Sequence, residues 1–289
     1  MTARQFSLLV LLASIWGGSF MFIRMAVGDF GPVPLTASRS LIAACTLMPL
    51  LLLQQQWPLF RRYWPHLLVI GLISTALPFT FLSISTQYTS AGFASILNAL
   101  TPVFSAVIAW LWLGEALTLA AMVGIGLSFA GLVVMVFDRD TISASFPLLP
   151  VIVGIGATLM YGLTGNYTRK FLVGVPPLVV SAGSHVFAAL LLAPFALWLW
   201  PAAAIPSTSW LWAAVLGVLC TGVAYIIYFH LLATVGVAKT VIVTYLAPVF
   251  AMLWGLLFLD EVITLKMLIG AGAIMLGIGL TTYRPGPRK

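Results

Sequence analysis

The stretch ALTPVFSAVIAWLWLGEALT, Ala99 to Thr118, sets a proline inside an apolar run and ends the run near a glutamate. Near the far end of the chain YLAPVFAMLWGLLFLDEVIT, Tyr245 to Thr264, does the same. Pro102 and Pro248, like Glu115 and Glu261, stand 146 positions apart. At that offset, without gaps, Ala91–Gly131 overlays Val237–Gly277 with 13 identities in 41 positions. The match extends backwards through Trp64/Trp210, Gly71/Gly217 and Thr75/Thr221, and one residue less sets Trp16, Phe22 and Arg24 against Tyr161, Tyr167 and Arg169. The chain reads as two copies of one unit, residues 1–140 and 141–289.

What each copy contains follows from composition. Of 289 residues 62% are hydrophobic and 7% are charged, against about 25% charged in soluble domains. Polar surface is too scarce to cover a water-soluble fold, and apolar runs recur throughout. A bilayer core about 30 Å thick takes roughly 20 apolar residues of helix. That length fits ten spans: Phe6–Val27, Val33–Leu53, His66–Thr86, Ser90–Leu113, Thr118–Phe137, Pro147–Tyr167, Pro177–Trp200, Thr208–His230, Ala238–Leu259 and Thr264–Tyr283. Turn chemistry and charge collect between them, as in QQQWPLFRRYWP and TRKFLVGVPP. The first run passes through WGGSF to Arg24 with no small-residue cleavage site, so it reads as a helix rather than a signal peptide.

Five spans per copy is an odd number, so the second copy starts on the opposite side of the membrane. The expected fold is therefore an all-α polytopic membrane protein with ten transmembrane helices as two inverted five-helix repeats. Inverted repeats packed together can exchange conformations about a site at the bilayer midplane, which is the architecture of a carrier.

The net charge of +7 fits orientation better than nucleic-acid binding. With the N-terminus inside, Arg4, Arg61, Arg62, Arg169, Lys170, Lys239, Arg284, Arg288 and Lys289 face the cytoplasm. Arg24, Arg39, Arg139 and Lys266 fall on the outer side. This excess obeys the positive-inside rule and puts both termini in the cytoplasm. Cys45 and Cys220 lie within spans and read as buried apolar thiols, not a disulfide. No metal or nucleotide motif occurs, so neither a cofactor nor a metal is expected.

ASIWGGSFMFIR, the two proline–glutamate segments, and the glycine-rich GIGLSFAGLVVM and GAGAIMLGIGL that follow them resemble the drug/metabolite transporter superfamily, specifically its EamA-type ten-helix exporters. The likeness covers nearly the whole chain. It implies a carrier of the cell inner (plasma) membrane that exports amino acids, other metabolites or amphipathic drugs. One branch of the family exports aromatic amino acids. The second copy departs from the first in having Asp260 for Gly114 and Tyr161-Gly162 for Trp16-Gly17-Gly18, so the cavity need not be symmetric.

The residues expected to meet substrate are the polar and aromatic groups at mid-membrane depth: Trp16, Ser19, Asn98, Thr101, Tyr161, Thr164, Tyr225, Thr244 and Tyr245. Such rings offer apolar contact with a polar handle and can face cations. The same residue types also serve helix packing in any membrane protein. Pro102 and Pro248 each remove a helical hydrogen bond and are expected to kink their helices as hinges. Glu115 and Glu261, three residues before Thr118 and Thr264, are expected to cap the helix that follows, with gating as the alternative. Glycines 124, 126 and 131, echoed at 270, 272 and 277, read as packing surfaces between helices or protomers.

No Asp or Glu falls deep in a span, which disfavours an obvious proton relay. His185 is the deep histidine and reads as a packing residue. The function expected is transport of a small amphipathic metabolite such as an amino acid by alternating access, without covalent chemistry, by a monomer or homodimer in the lipid bilayer. Drug or organic-cation efflux is the alternative. From another class, a membrane-embedded lipid-modifying enzyme would need a cluster of catalytic groups, and Asp138 and Asp140 in FDRDT lack a neighbouring histidine.

Overall fold

A computed structural model describes residues 1–137, 148–240 and 242–282. Asp138, Arg139, Asp140, Pro147, Tyr283, Arg284, Arg288 and Lys289 lie outside the described residues. Among the described residues ten helices are long and apolar enough to cross a membrane. They are α1 (Ala3–Phe30), α2 (Pro32–Leu53), α3 (Trp57–Tyr88), α4 (Ala91–Leu113), α5 (Leu119–Val136), α6 (Leu149–Phe171), α7 (Pro177–Trp198), α8 (Ser207–Val235), α9 (Ile242–Leu259) and α10 (Leu265–Thr282). A single helical turn, Val237–Thr240, precedes α9.

The third helix starts earlier than expected. Residues 57–65, read from sequence as a connection, are helical because Pro58 sits in the first turn, where its missing amide costs nothing. The real turn is QQQ, with Gln55 in the left-handed region at φ 55°.

The packing carries a twofold relation between the halves. Helix α1 packs on α9 as α6 packs on α4, and α8 lies along α1 as α3 lies along α6. Two pairs map onto themselves, α2 with α7 and α5 with α10. Details repeat too. A Cβ on Gly17 of α1 would stand 2.6 Å from the Ala247 carbonyl oxygen and 2.7 Å from Phe250 Cβ. One on Gly162 of α6 would stand 2.8 Å from the Ser105 amide and 3.1 Å from Phe104 Cβ. Both crossings are thus backbone against backbone. Both α3 and α8 widen into a π-helical stretch, at Gly71–Ala76 and Val218–Val223. Gly114 and Asp260 take the same left-handed turn at φ 70° and 53°, so the replacement leaves the backbone unchanged; Asp is among the few residues that tolerate it.

Helices α5 and α10 meet through their glycines. A Cβ on Gly124 would lie 2.4 Å from the Gly277 carbonyl oxygen, and one on Gly131 would lie 2.6 Å from that of Gly270. Gly126 and Gly272 face open space instead. The close-packing glycines therefore join helices of one chain. Leu111, Leu119, Leu197, Leu265 and Leu276 are exposed on the outer wall, an apolar belt that suits lipid. Cys45 is also exposed there, against the expectation that it is buried, whereas Cys220 is buried.

Candidate functional site

Between the halves lies a cavity of about 360 Å³. Helix α1 lines it with Trp16, Ser19, Phe20 and Ile23, α4 with Ser95, Asn98, Thr101 and Pro102, and α9 with Val243, Thr244, Ala247 and Pro248. Phe79 and Leu82 of α3, Tyr161 of α6, and Cys220, Tyr225 and Tyr228 of α8 complete the wall, with Arg39 of α2. The self-paired helices α5 and α10 stay outside it because their glycines commit them to each other.

The broken geometry of α4 brings its polar residues to the cavity. Its helix runs Ala91–Asn98, turns at Ala99 and Leu100, and resumes as Thr101–Leu113. Pro102 falls in the first turn of the second piece. The Asn98 carbonyl that loses its amide partner there accepts from Thr101 Oγ1 at 2.8 Å. Asn98 Oδ1 is buried with no hydrogen-bond partner among the described residues. Pro248, by contrast, lies inside the continuous helix α9. The two prolines are equivalent in sequence and differ in what they do to their helices.

The aromatic residues form one frame. The Trp16 ring lies 5.4 Å from Tyr228 and meets Tyr225 edge-on at 6.3 Å. Such pairs contribute about 0.5–1.5 kcal/mol each beyond area burial. They hold the α1 and α8 walls at a fixed spacing.

Seven of the nine residues expected at the site line the cavity: Trp16, Ser19, Asn98, Thr101, Tyr161, Tyr225 and Thr244. Thr164 and Tyr245 do not. Thr164 Oγ1 donates to the Ile73 carbonyl at 3.0 Å, a group in the widened stretch of α3, and to Met160 at 2.8 Å. Tyr245 follows Thr244 by one residue, about 100° around the helix, and its hydroxyl meets Thr282 Oγ1 at 3.2 Å on α10.

Arg39 is the residue that sequence reading placed elsewhere. Counted there as an outer-side charge, it sits seven residues into α2, about 10 Å along the axis, and is 7% exposed. Its guanidinium carbon lies 4.0 Å from the centre of the Phe79 ring, and Nε donates to Thr221 Oγ1 at 3.2 Å. Thr221, in the widened stretch of α8, in turn donates to the Leu216 carbonyl at 2.8 Å. The one ion pair among the described residues is Glu115 with Arg169, so no carboxylate there balances Arg39. The 146-residue offset sets Arg39 opposite His185. His185 is fully buried on α7, with Nδ1 2.8 Å from the Ser181 carbonyl and the Tyr225 ring 5.8 Å away, and it does not line the cavity.

A second pocket of about 290 Å³ adjoins the first at Pro102, lined also by Ser105, Ala109, Glu115, Thr118, Arg169 and Thr281. Glu261 does not cap the helix that follows it in the expected way, and threonines stand at the cap positions after both glutamates. Thr118 and Thr264 supply those caps, accepting from the amides of Ala121 and Met267 at 3.1 Å each. Glu115 pairs with Arg169 across the halves. Glu261 reaches across to α4, where the Ala91 amide donates to its two oxygens at 2.8 and 3.0 Å. Burial pushes the Glu261 carboxyl above the ordinary carboxylate range, while the amides of Ala91 and Gly92 and the charge of Arg24 oppose that shift. Arg24 itself donates to the carbonyls of Thr86 and Gln87 at 2.8 and 2.7 Å. The Glu261 end of the bundle is therefore tied between halves by contacts that sequence spacing does not reveal.

Residues 5–137 and 148–283 each match the model of the EamA-like transporter family. A protein of Archaeoglobus fulgidus named an uncharacterized transporter is 29% identical over 98% of this chain and 99% of its own length. The uncharacterized transporter YvbV of Bacillus subtilis is 25% identical over 98% and 92%. A protein of Streptantibioticus cattleyicolor named a probable terminal-alkyne amino-acid exporter is 26% identical over 97% and 94%. A crystal structure of a protein at 18% identity shares the fold with a TM-score of 0.65 over 98% of this chain and 97% of the other.

Proposed function

The chain belongs to the EamA-like transporter family, and from that premise we propose that it exports small amphipathic metabolites, amino acids foremost, across the cell inner membrane by alternating access. The observation that carries this reading is the cavity of about 360 Å³ built by both halves and lined by aromatic and hydroxyl side chains. It has the size and mixed polarity of a small-molecule site and lies between repeats, where carriers hold their substrates. Residues 1–140 and 141–289 are the two halves that rearrange around it. One chain encloses the cavity, so a monomer suffices for the transport cycle. Both termini face the cytoplasm in this reading, following the excess of Lys and Arg on that side. The relative named a probable terminal-alkyne amino-acid exporter supports amino acids as the substrate class.

In this mechanism the chain performs no bond chemistry. Substrate enters a cavity bordered by Trp16, Tyr161 and Tyr225, the halves exchange shapes, and the Glu261 end loosens as the Glu115 end closes. Pro102 and Pro248 act as hinges, since a proline leaves its helix short of one restraining hydrogen bond. The aromatic wall also favours a second reading, efflux of organic cations, because ring faces attract cations.

The test is flux. Purified protein in proteoliposomes should carry at least one labelled amino acid from a panel that also contains cationic dyes, assayed with and without a pH gradient. Absence of flux for every compound overturns the carrier reading, and turnover of membrane lipid by the same preparation favours an enzyme.

A further inference from the structure

Among the described residues Arg39 is the one charged side chain in the cavity wall, and its placement asks what it is for. A charged group within a membrane span is costly, faces the protein interior, and marks a functional site by default. Of its five N–H donors, Nε is bonded to Thr221, and the two terminal nitrogens have no hydrogen-bond partner among the described residues. The Phe79 ring centre lies 4.0 Å from the guanidinium carbon, a contact that together with Thr221 holds the head group in place. The other polar groups of the cavity wall, among them Tyr161, Tyr225, Tyr228, Asn98 and Thr101, are neutral. A fixed cation with a free planar pair of donors matches a carboxylate in shape and charge.

We propose that Arg39 is the anion-binding residue of this cavity and that the substrate carries a free carboxylate, which the guanidinium holds while the aromatic wall takes the apolar body. This rests on the carrier reading and narrows it. Amino acids and aryl or alkyl carboxylates are accepted, and organic cations are refused, because they would meet the positive charge of Arg39 with no carboxylate beside it. Thr221 and Phe79 are positioning residues for the guanidinium. Sequence inspection finds this site only if a lone arginine seven residues into an apolar helix is read by depth rather than by topology.

The experiment compares matched compounds in proteoliposomes of the full chain: L-phenylalanine and 3-phenylpropionate against L-phenylalaninamide and phenethylamine. Flux is expected for the two carboxylates, with the amide and the amine slower by at least about 10-fold, the scale of one lost hydrogen bond to a charged group. The R39Q variant should lose the carboxylate flux by a similar factor, and R39K, which keeps charge but not the fork, should fall between. The comparison on the unaltered protein stands even where R39Q does not fold. Equal or faster flux of phenethylamine and the amide overturns the assignment of Arg39 and leaves the carrier reading standing. No flux of any of the four, nor of the wider amino-acid and dye panel, overturns the carrier reading and this inference with it.

Discussion

Pro102 removes the amide that would bond the Asn98 carbonyl, and the Thr101 hydroxyl takes that carbonyl instead. A P102A variant restores the competing amide. Since one neutral hydrogen bond is worth about 1 kcal/mol, the initial transport rate should change by about fivefold. The amount of folded protein recovered in detergent should stay near that of the unaltered chain, and an unchanged rate would count against the hinge. Glu261 offers a second test. Because burial holds its carboxyl above the ordinary carboxylate range, the folded chain binds this proton more tightly than the unfolded chain. Its contribution to stability is therefore present at low pH and declines as pH rises from the ordinary value through the raised one. The thermal midpoint of E261Q should vary less with pH across that window. A methyl group at position 255 would come within 2.3 Å of Glu261 Oε2, so G255A should displace the carboxylate from Ala91 and weaken the tie between the halves.

The close glycine contacts of α5 and α10 make a sharp contrast within single helices. In G131A the new methyl would lie 2.6 Å from the Gly270 carbonyl oxygen, whereas in G126A nothing stands within 4 Å. Overpacking costs about 1–3 kcal/mol, so G131A should melt earlier in detergent and G126A and G272A should melt like the parent. Equal melting would mean that the two helices separate without loss. The helices themselves were legible from length and apolarity, since ten runs near twenty residues leave few other solutions. Their rotation was not. These helices are apolar on every side, and the pattern that tells an inward from an outward face in a soluble protein is missing. Hence Thr164 and Tyr245 were expected in the cavity but meet neighbouring helices, and the start of α3 was hidden behind Pro58 and two arginines that read as a loop.

The doubling of the chain was legible because it is local in register: proline, glutamate and glycine recur at one fixed offset. Contacts between the halves were not, because Glu261 with Ala91 and Arg39 with Thr221 join residues 170 and 182 positions apart. The contrary orientation of the halves has a direct check. With Cys45 and Cys220 replaced, single cysteines at the equivalent positions A116C and V262C, both exposed, should react with an impermeant thiol reagent added from opposite sides of the membrane. Reaction of both from one side would rule out the inverted arrangement.

The crossings at Gly17 and Gly162 have a mechanical corollary. Where main chains touch with no intervening side chain, two rods can tilt about the point of contact without unlocking a set of interleaved groups. Placed one in each half, these two points behave as a pair of pivot pins: the arms on either side swing while the pins stay put. A single methyl at either pin, as in G17A or G162A, should seize the motion and leave bound solute trapped rather than released.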